Sequence, residues 1–361
     1  MALKRVVVLG AGVSGLSTAT LLLQQEKKYK VHLIAKHFPG DQSYEYTSPW
    51  SGAYWRSYAL KDDIKQQEID KESYNHFRKL AGSPQNKTGI RIIDGFDYWD
   101  HISEDFSEPW FKTLCPEFRD LKREELPDGI KLGFTFKTVS FNPQTYLNHL
   151  LDTFTSLGGT TQHASVSHIN ECIESDTDII INCTGIHSRT LGGVEDPNVY
   201  AVRGQTVIVQ SPHINYAFLR QPCGLNAEKL GSASAKEMTY AIARDGGEVV
   251  LGGTYEQHNY TTEIDHEISE AIIQRCLTLR PDLLPPGQSK LTIKGYGVGL
   301  RPCREGGARL DCEWIASKKF DKNVLLCHNY GHGGAGFQTS YGSAKHIIKL
   351  MEDKLNENDK N

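Results

Sequence analysis

Two glycine-rich segments near opposite ends of the chain contain residues suited to binding a ligand through the backbone. The first, GAGVSG at residues 10–15, has the spacing GxGxxG. The second, HNYGHGGAGFQTSYG at residues 328–342, places five glycines in fifteen residues. Glycine costs conformational entropy on folding, but it lets backbone N–H groups approach a ligand where a side chain would clash. Each segment therefore indicates a close approach between backbone and a bound group.

The first segment has the surroundings of a dinucleotide-binding turn. Residues 5–9 form an apolar run typical of a buried parallel strand, residues 13–28 follow a helical stripe, and residues 30–34 form a second apolar strand. In this context the glycines and the positive end of the helix dipole bind a pyrophosphate. A tight turn that binds no ligand is the alternative.

The end of the second strand leaves the kind of dinucleotide open. The acidic residue that usually binds the adenosine ribose is absent, because the strand ends in Ala35, Lys36 and His37. A basic residue here is suited to a phosphate or a ribose. The residues alone therefore favour NADP and FAD equally.

Further elements are predicted to bring the two glycine segments together. Residues 143–157 are expected to form a helix, and residues 178–185 a strand and turn that return to the same sheet. Residues 323–327 are a short buried strand before the second glycine segment, and a helix is predicted from Phe337. The chain thus makes two strand, glycine turn and helix units, and a two-part cofactor is expected between their turns.

Length, charge and cysteine pattern exclude several classes of protein. The 361 residues suit two domains, and a net charge of −4 gives no indication of nucleic acid or an anionic membrane as a partner. The eight cysteines contain no CxxC pair, so neither a metal site nor a redox pair is indicated, and we expect reduced thiols in an intracellular protein. No apolar run reaches the roughly 18 residues of a membrane span. We expect a soluble protein without a secretory signal.

Seven segments, in order along the chain, carry a resemblance to one known family. They are GAGVSGL at 10–16, TSPWSGAYW at 47–55, INCTG at 181–185, RGQTVIV at 203–209, YAIARDGGEVVLGGTY at 240–255, VGLRP at 298–302 and HNYGHGGAGFQTSYG at 328–342. Together they resemble the D-amino-acid oxidase family in its fungal branch, which is related to the D-aspartate oxidases. The resemblance spans essentially the whole chain.

This resemblance implies an α/β fold with two domains. One is a Rossmann-like FAD-binding domain, and the other is an α+β substrate domain built on a mixed, largely antiparallel sheet. The FAD-binding domain is expected to be discontinuous and to comprise residues 1–55, 143–203 and 289–361. Residues 56–142 and 204–288 are expected to form the substrate domain.

The resemblance also implies oxidative deamination of D-amino acids. Hydride transfer to flavin N5 would give an imino acid that hydrolyses to a 2-oxo acid and ammonia, and O₂ would reoxidise the flavin to give H₂O₂. Arg301 is expected to hold the substrate carboxylate bidentately, with Tyr240 and Tyr255 as further donors and Gln338 near the substrate. No catalytic general base is expected, because alignment of the substrate carries the reaction. A structural ion pair for Arg301 and half-buried packing for both tyrosines are the alternatives.

The resemblance further assigns the cofactor-binding residues. The second glycine segment is expected at the pyrimidine end of the flavin, with the following helix directing its N-terminus at the C2 carbonyl, where the reduced flavin is negative. The histidines at 328 and 332 are then turn residues. The predicted cofactor-binding set is Gly10, Ala11, Gly12, Val13, Ser14, Gly15, Ala35, Lys36, Ser43, Ser48, Gly52, Val166, Cys183, Thr184, Gly185, Arg301, Gly331, Gly333, Gly334, Ala335, Gly336, Phe337 and Gln338.

Two arginines favour a substrate with an acidic side chain. Arg56 follows the SPW segment, and Arg220 lies in FLR, which resembles the FIR of mammalian D-aspartate oxidases, on a loop that covers the site in this family. One charge-assisted hydrogen bond from a second cation strengthens the binding of a side-chain carboxylate by roughly 1.5–3 kcal/mol. D-Aspartate or D-glutamate is therefore the expected substrate. A general D-amino-acid oxidase with a solvent-facing Arg56 is the alternative, and an NADP-dependent dehydrogenase is a more distant one.

The resemblance suggests a peroxisomal location and a homodimer. The sequence ends in NENDKN rather than in a Ser-Lys-Leu-type signal, which indicates a cytoplasmic protein or a chain that lacks its last residues. The expected partners are a small D-amino acid and O₂, with no nucleic acid, membrane or metal.

Overall fold

The computed structural model describes residues 3–25, 28–102, 106–221 and 238–358. Its strands are β1 Lys4–Leu9, β2 Tyr29–Ala35, β3 Ile90–Trp99, β4 Arg119–Asp120, β5 Leu132–Phe141, β6 Thr160–His163, β7 Thr177–Asn182, β8 Val199–Gln210, β9 Tyr216–Gln221, β10 Thr239–Ala243, β11 Glu248–Gly252, β12 Glu256–Gln257, β13 Thr292–Arg304, β14 Arg309–Ser317 and β15 Lys322–Tyr330. The α-helices are α1 Val13–Gln24, α2 Ile64–Ala81, α3 Pro143–Ser156, α4 His266–Leu279 and α5 Gly336–Asn358.

The chain divides into two compact units. Unit 1 comprises Met1–Pro49, Gln144–Ala201 and Arg301–Asn361, and unit 2 comprises Trp50–Pro143 and Val202–Leu300.

Unit 1 is built on a sheet whose order, within the described residues, is β14-β15-β7-β1-β2-β6. The strands from β15 to β6 are parallel to their neighbours, and β14 is antiparallel to β15. The β1, α1, β2 unit confirms the predicted strand, glycine turn and helix. Its apolar run is buried because β1 lies in the middle of the sheet, between β7 and β2.

Helices of unit 1 cover the sheet. Helix α1 packs against α5, and α5 also packs against β14 and β15. The face of α5 that carries Phe337, Ala344, Ile348, Met351 and Leu355 is buried, as its periodicity predicts. No helix in the described ranges combines the length and the apolar character needed to cross a membrane.

Unit 2 contains a mixed, largely antiparallel sheet, which confirms the predicted fold class. Its order across the described strands is β12-β8-β11-β10-β9-β3-β5-β4, and β13 pairs with β8. Strands β3 and β9 run parallel, whereas β5, β10 and β11 pair with their neighbours in antiparallel fashion. Helix α4 packs on β10 and β11, where Ile272 and Cys276 join the buried cluster that contains Val207 and Leu251.

The unit boundaries differ from the predicted domain boundaries by one or two residues at 143 and at 202–203, and by longer stretches in two other places. Residues 50–55 and 289–300 belong to unit 2, although the sequence placed them in the FAD-binding domain. The first stretch joins unit 2 because Trp55 donates a backbone hydrogen bond to Val139. The second joins it because β13 pairs with β8. Both contacts connect residues far apart in sequence, which local patterns do not reveal.

Candidate functional site

The first glycine turn of unit 1 has no room for side chains. A Cβ on Gly10 would lie 2.6 Å from the carbonyl oxygen of Cys183, and one on Gly15 would lie 1.9 Å from the carbonyl oxygen of Gly10. Gly10 also has a φ of +104°, which strains any other residue. The turn is therefore packed against the chain that leaves β7, and its glycines are needed for the fold as well as for access to a ligand.

The N-terminus of α1 is suited to an anion. Its N-cap is Gly12, which supplies no side-chain cap, and its first turn contains no acidic residue. Ser48 accepts a hydrogen bond from the N–H of Val13 at 3.0 Å. The positive end of the helix dipole is thus left without an acidic side chain, as a bound pyrophosphate requires.

A second turn, at residues 183–185, follows β7. The side-chain oxygen of Asn182 accepts hydrogen bonds from the backbone N–H and the hydroxyl of Thr184, at 3.1 and 2.8 Å. Burial raises the pKa of the Cys183 thiol to about 12, so this cysteine is protonated and a poor nucleophile at neutral pH. Gly185 has a φ of +58°, and a Cβ there would lie 3.7 Å from Pro302.

The C-terminal glycine turn brings together several predicted site residues. A Cβ on Gly334 would lie 3.6 Å from Cδ of Arg301, and one on Gly336 would lie 3.9 Å from a methyl carbon of Val13. The predicted substrate-binding arginine thus lies beside the second glycine segment. The start of α5, where Gln338 is buried, lies beside the start of α1. Neither helix has an acidic residue in its first turn.

His332 ties the turn to its surroundings, whereas His328 lies within β15 and is not a turn residue as expected. Nε2 of His332 lies 2.7 Å from the side-chain oxygen of Asn329, whose amide donates to the hydroxyl of Thr18 on α1 at 3.1 Å. Burial lowers the pKa of His332 to about 4, so the ring is neutral near pH 7. In the described ranges no group of three His, Cys, Asp or Glu side chains is placed to hold a metal ion.

A carboxylate that sequence reasoning missed lies beside the end of β2. Glu45 forms an ion pair with Lys36 and lies 3.4 Å from His37. The hydrogen bond from Lys36 lowers the pKa of Glu45. No local signal predicts this pair, because Glu45 reaches the strand end from a loop without regular structure.

Other residues of the predicted cofactor set lie within unit 1. Ser43 accepts a backbone hydrogen bond from Glu45 at 3.3 Å, and Val166 packs against a buried cluster that includes Val7 and Ile180. Gly52 belongs to unit 2 instead, where a Cβ would lie 2.4 Å from Cδ1 of Ile242.

The two predicted substrate tyrosines belong to unit 2. Tyr240 lies on β10 opposite Gly252 of β11, and a Cβ on Gly252 would fall 2.0 Å from the Tyr240 ring. The Gly-Gly pair before Thr254 and Tyr255 therefore makes room for the Tyr240 ring. Tyr255 is partly exposed and lies between β11 and β12.

Arg244, the last residue of the YAIAR segment, is a structural group. Its guanidinium donates to the carbonyl oxygens of Ser51 and Gly52, and burial lowers its pKa to about 10. It therefore fixes the SPWSG segment to the end of β10 within unit 2.

Arg56 is buried, so the interpretation of a solvent-facing side chain is wrong. Only 1% of its side chain is exposed, and two of its nitrogens donate to one oxygen of Asp97 at 3.0 and 2.8 Å. It also donates to the carbonyl oxygen of Ser57 at 2.8 Å. The sequence could not reveal this pairing, because Asp97 lies on β3, far along the chain.

Arg220 lies in β9 rather than in a loop. Its Nε donates to both carboxylate oxygens of Asp100, at 2.9 and 3.0 Å, and its terminal nitrogen donates to one of them at 2.5 Å. Its side chain is 31% exposed. Residues 222–237, which follow this strand, lie outside the described residues.

Comparisons with known proteins identify the family. The family model described as FAD dependent oxidoreductase (DAO) matches residues 5–350. A D-amino-acid oxidase of Schizosaccharomyces pombe is 33% identical over 97% of this chain and 97% of that protein. A D-aspartate oxidase of Cryptococcus neoformans var. grubii is 30% identical over 96% of each chain.

A solved structure supports the fold. Glycine oxidase from Bacillus cereus superposes with a TM-score of 0.71 over 97% of this chain and 95% of that one, at 18% identity. The turns at residues 10–15 and 331–336 and the uncapped start of α1 fit a bound dinucleotide. From the family match and the relatives that align with nearly its whole length, we conclude that the chain belongs to the FAD-dependent oxidoreductase (DAO) family, with FAD as its cofactor.

Proposed function

We propose that this protein oxidises D-amino acids to imino acids, which hydrolyse to 2-oxo acids and ammonia, while O₂ is reduced to H₂O₂. The observation that carries the proposal is the position of Arg301 beside Gly334, so that a carboxylate-binding group borders the turn assigned to the flavin. The relatives named D-amino-acid oxidase and D-aspartate oxidase support the same reaction.

Most of the cofactor residues proposed for FAD lie in three turns of unit 1. Backbone N–H groups at the start of α1 other than that of Val13 would bind the pyrophosphate, and Ser48 stabilises the turn by accepting a hydrogen bond from the N–H of Val13. The turns at 183–185 and 331–336 would border the rest of the cofactor. Bound FAD supplies the oxidising group of the reaction, with O₂ as the final electron acceptor.

The proposed substrate contacts use charge and hydrogen bonding at the carboxylate. The guanidinium of Arg301 presents a planar fork that matches a carboxylate, and such a pair is about twice as strong as a neutral hydrogen bond. The hydroxyls of Tyr240 and Tyr255 are proposed as further donors, and Gln338 as a neighbour of the substrate. These groups orient the amino acid, and orientation is what the reaction needs from the protein.

For the side chain of the substrate, the contacts favour neutral D-amino acids. Arg56 is paired with Asp97 and Arg220 with Asp100, so each candidate cation is already matched by a carboxylate. A carboxylate on the substrate would have to compete with Asp100 for Arg220. A preference for D-aspartate or D-glutamate is the second candidate, favoured by the 31% exposure of Arg220 and by the D-aspartate oxidase relative.

The test is the initial rate of H₂O₂ production with D-alanine, D-proline, D-aspartate, D-glutamate and L-alanine. The proposal predicts oxidation of D-alanine or D-proline, no oxidation of L-alanine, and a lower rate with D-aspartate. Absence of H₂O₂ with every D-amino acid, from protein that contains flavin, would overturn it.

Two variants separate the substrate classes. Under the proposal, Arg220→Ala leaves the ratio of the D-aspartate and D-alanine rates unchanged. Asp100→Ala removes the carboxylate that competes with the substrate for Arg220 and raises that ratio by about 10-fold, the worth of one charge-assisted hydrogen bond. If Arg220→Ala instead abolishes a strong preference for D-aspartate in the wild type, the acidic candidate is correct.

Location and assembly are proposed on resemblance alone. We infer a peroxisomal or cytoplasmic enzyme, and a homodimer, with no nucleic-acid or membrane partner.

A further inference from the structure

Two cysteines face each other at the edge of the unit 1 sheet. Cys312 on β14 is directly opposite Cys327 on β15 in the antiparallel register, and their sulfur atoms lie 2.9 Å apart. Both carry free thiols. Neither residue belongs to the cofactor or substrate set.

The positions fit the geometry of a disulfide. Directly opposite residues of an antiparallel pair have Cα atoms about 4.5–5.5 Å apart, within the range of about 4.4–6.8 Å that disulfides span. The side chains of such a pair point to the same face of the sheet. A bond between the sulfur atoms therefore requires rotation of the side chains rather than movement of the strands.

We propose that Cys312 and Cys327 are a modification site that peroxide converts into a reversible cross-strand disulfide. The sulfur of Cys312 attacks one oxygen of H₂O₂, so that an S–O bond forms, the O–O bond breaks, and one water leaves. The sulfur of Cys327 then attacks the sulfur of Cys312, so that the S–S bond forms and the S–O bond breaks. The departing hydroxide takes the thiol proton of Cys327 and leaves as the second water. Two thiols are oxidised and one peroxide is reduced to two waters.

The exposure of the two residues sets the order of these steps. β14 is an edge strand of the sheet, and Cys312 is partly exposed there. Cys327 is fully buried, and burial raises its thiol pKa well above the ordinary value. Cys312 is therefore the thiol that meets peroxide. The raised pKa makes Cys327 a weak nucleophile, and its sulfur resolves the sulfenic acid because it lies 2.9 Å from that of Cys312.

The site lies close to the C-terminal glycine turn. Cys327 is on the strand that continues to Tyr330 and the turn at Gly331. The disulfide would fix β14 to this strand and close a short loop, which raises Tm by several degrees if the loop entropy in the unfolded chain is the main effect. The inference goes beyond the proposed function: the proposed oxidase reaction produces H₂O₂, but the site needs only a peroxide from any source.

Peptide mapping tests the site directly. Trypsin cleaves after Arg309, Lys318, Lys322 and Lys345, so Cys312 and Cys327 fall in separate peptides, 310–318 and 323–345. Purified holoenzyme is treated with H₂O₂ without substrate, the remaining thiols are alkylated, and the non-reduced digest is analysed by mass spectrometry. Because peroxide is added, the result does not depend on whether the protein is an oxidase.

The inference predicts that these two peptides are linked, with the loss of two hydrogen atoms, and that a reducing agent separates them. Cys312→Ser abolishes the link and the Tm increase. Cys172→Ser, at another buried thiol of unit 1, leaves both intact. Any of three results would overturn the inference. They are alkylation of both Cys312 and Cys327 after peroxide treatment, a sulfinic acid on Cys312 without a link, and a link from either residue to Cys223.

Discussion

At the scale of single residues, the buried pair of Arg56 and Asp97 shows how context changes the role of a charge. Each side chain is 1% exposed, and one oxygen of Asp97 has no hydrogen-bond partner among the described residues. The guanidinium also lies over the rings of Tyr58 and Phe111, at 4.9 and 5.7 Å. Removal of either partner would leave a charge buried without its counterion.

We therefore expect Arg56→Met to act on stability. A broken buried pair costs about 3–5 kcal/mol, whereas replacement of both partners by apolar residues is close to neutral. Denaturant unfolding of Arg56→Met, Asp97→Leu and the double variant measures this. The double variant should be more stable than either single variant, and simple addition of the two losses would contradict the argument.

His332 links the stability of the C-terminal glycine turn to pH. Its pKa is lowered by burial from 6.5 to about 4, so the unfolded chain binds a proton between these values that the folded chain does not. Stability from this group is complete above pH 6.5 and is lost as the pH falls towards 4. At pH 5 the loss is about 2 kcal/mol.

The matching variant is His332→Gln, which has no titrating group. Its free energy of unfolding should decrease less than that of the wild type between pH 7 and pH 5, by about 2 kcal/mol. Parallel pH curves for the two proteins would show that the pKa of His332 is the same in the folded and unfolded states, which would contradict the prediction.

At the scale of elements, the glycine turns are defined by what surrounds them. A Cβ on Gly15 would overlap the carbonyl oxygen of Gly10, whereas Gly295, in β13, has no heavy atom within 4 Å of the same position. Packing thus requires glycine at position 15, whereas position 295 has room for a side chain.

Gly15→Ala is therefore expected to reduce flavin binding, and Gly295→Ala is its control. The displaced turn can no longer direct its N–H groups at a pyrophosphate. Flavin fluorescence during titration of the apoproteins gives both dissociation constants, with an increase of at least about 10-fold expected for Gly15→Ala. Equal flavin dissociation constants for the two variants would show that this turn does not bind the cofactor.

The elements also show what sequence can and cannot predict. The β1, α1, β2 unit was predictable because its glycine spacing and apolar periodicity are local, and the same holds for the buried face of α5. The partners of Arg56 and Arg220, and of Lys36, were not predictable. Asp97, Asp100 and Glu45 reach them through tertiary folding, and no periodic pattern marks those contacts.

At the scale of the whole molecule, the proposed activity assigns different tasks to the two units. Unit 1 contains the turns assigned to FAD together with Arg301, and unit 2 contains Tyr240 and Tyr255. The glycine turns and Arg301 lie side by side within one unit. The sequence elements predicted that the two turns meet, whereas only the resemblance indicated the place of Arg301. The unit boundaries at 50–55 and 289–300 differ from the predicted domain boundaries because backbone contacts over long sequence separations join both stretches to unit 2.

The most direct test of the central claim is anaerobic mixing of the purified flavoprotein with D-alanine or L-alanine, monitored by visible absorption. The account predicts that D-alanine bleaches the oxidised flavin spectrum and that air restores it, whereas L-alanine has no effect. If neither D-alanine, D-proline nor D-aspartate bleaches the flavin, or if both enantiomers do so equally, the proposal of a D-amino-acid oxidase is wrong.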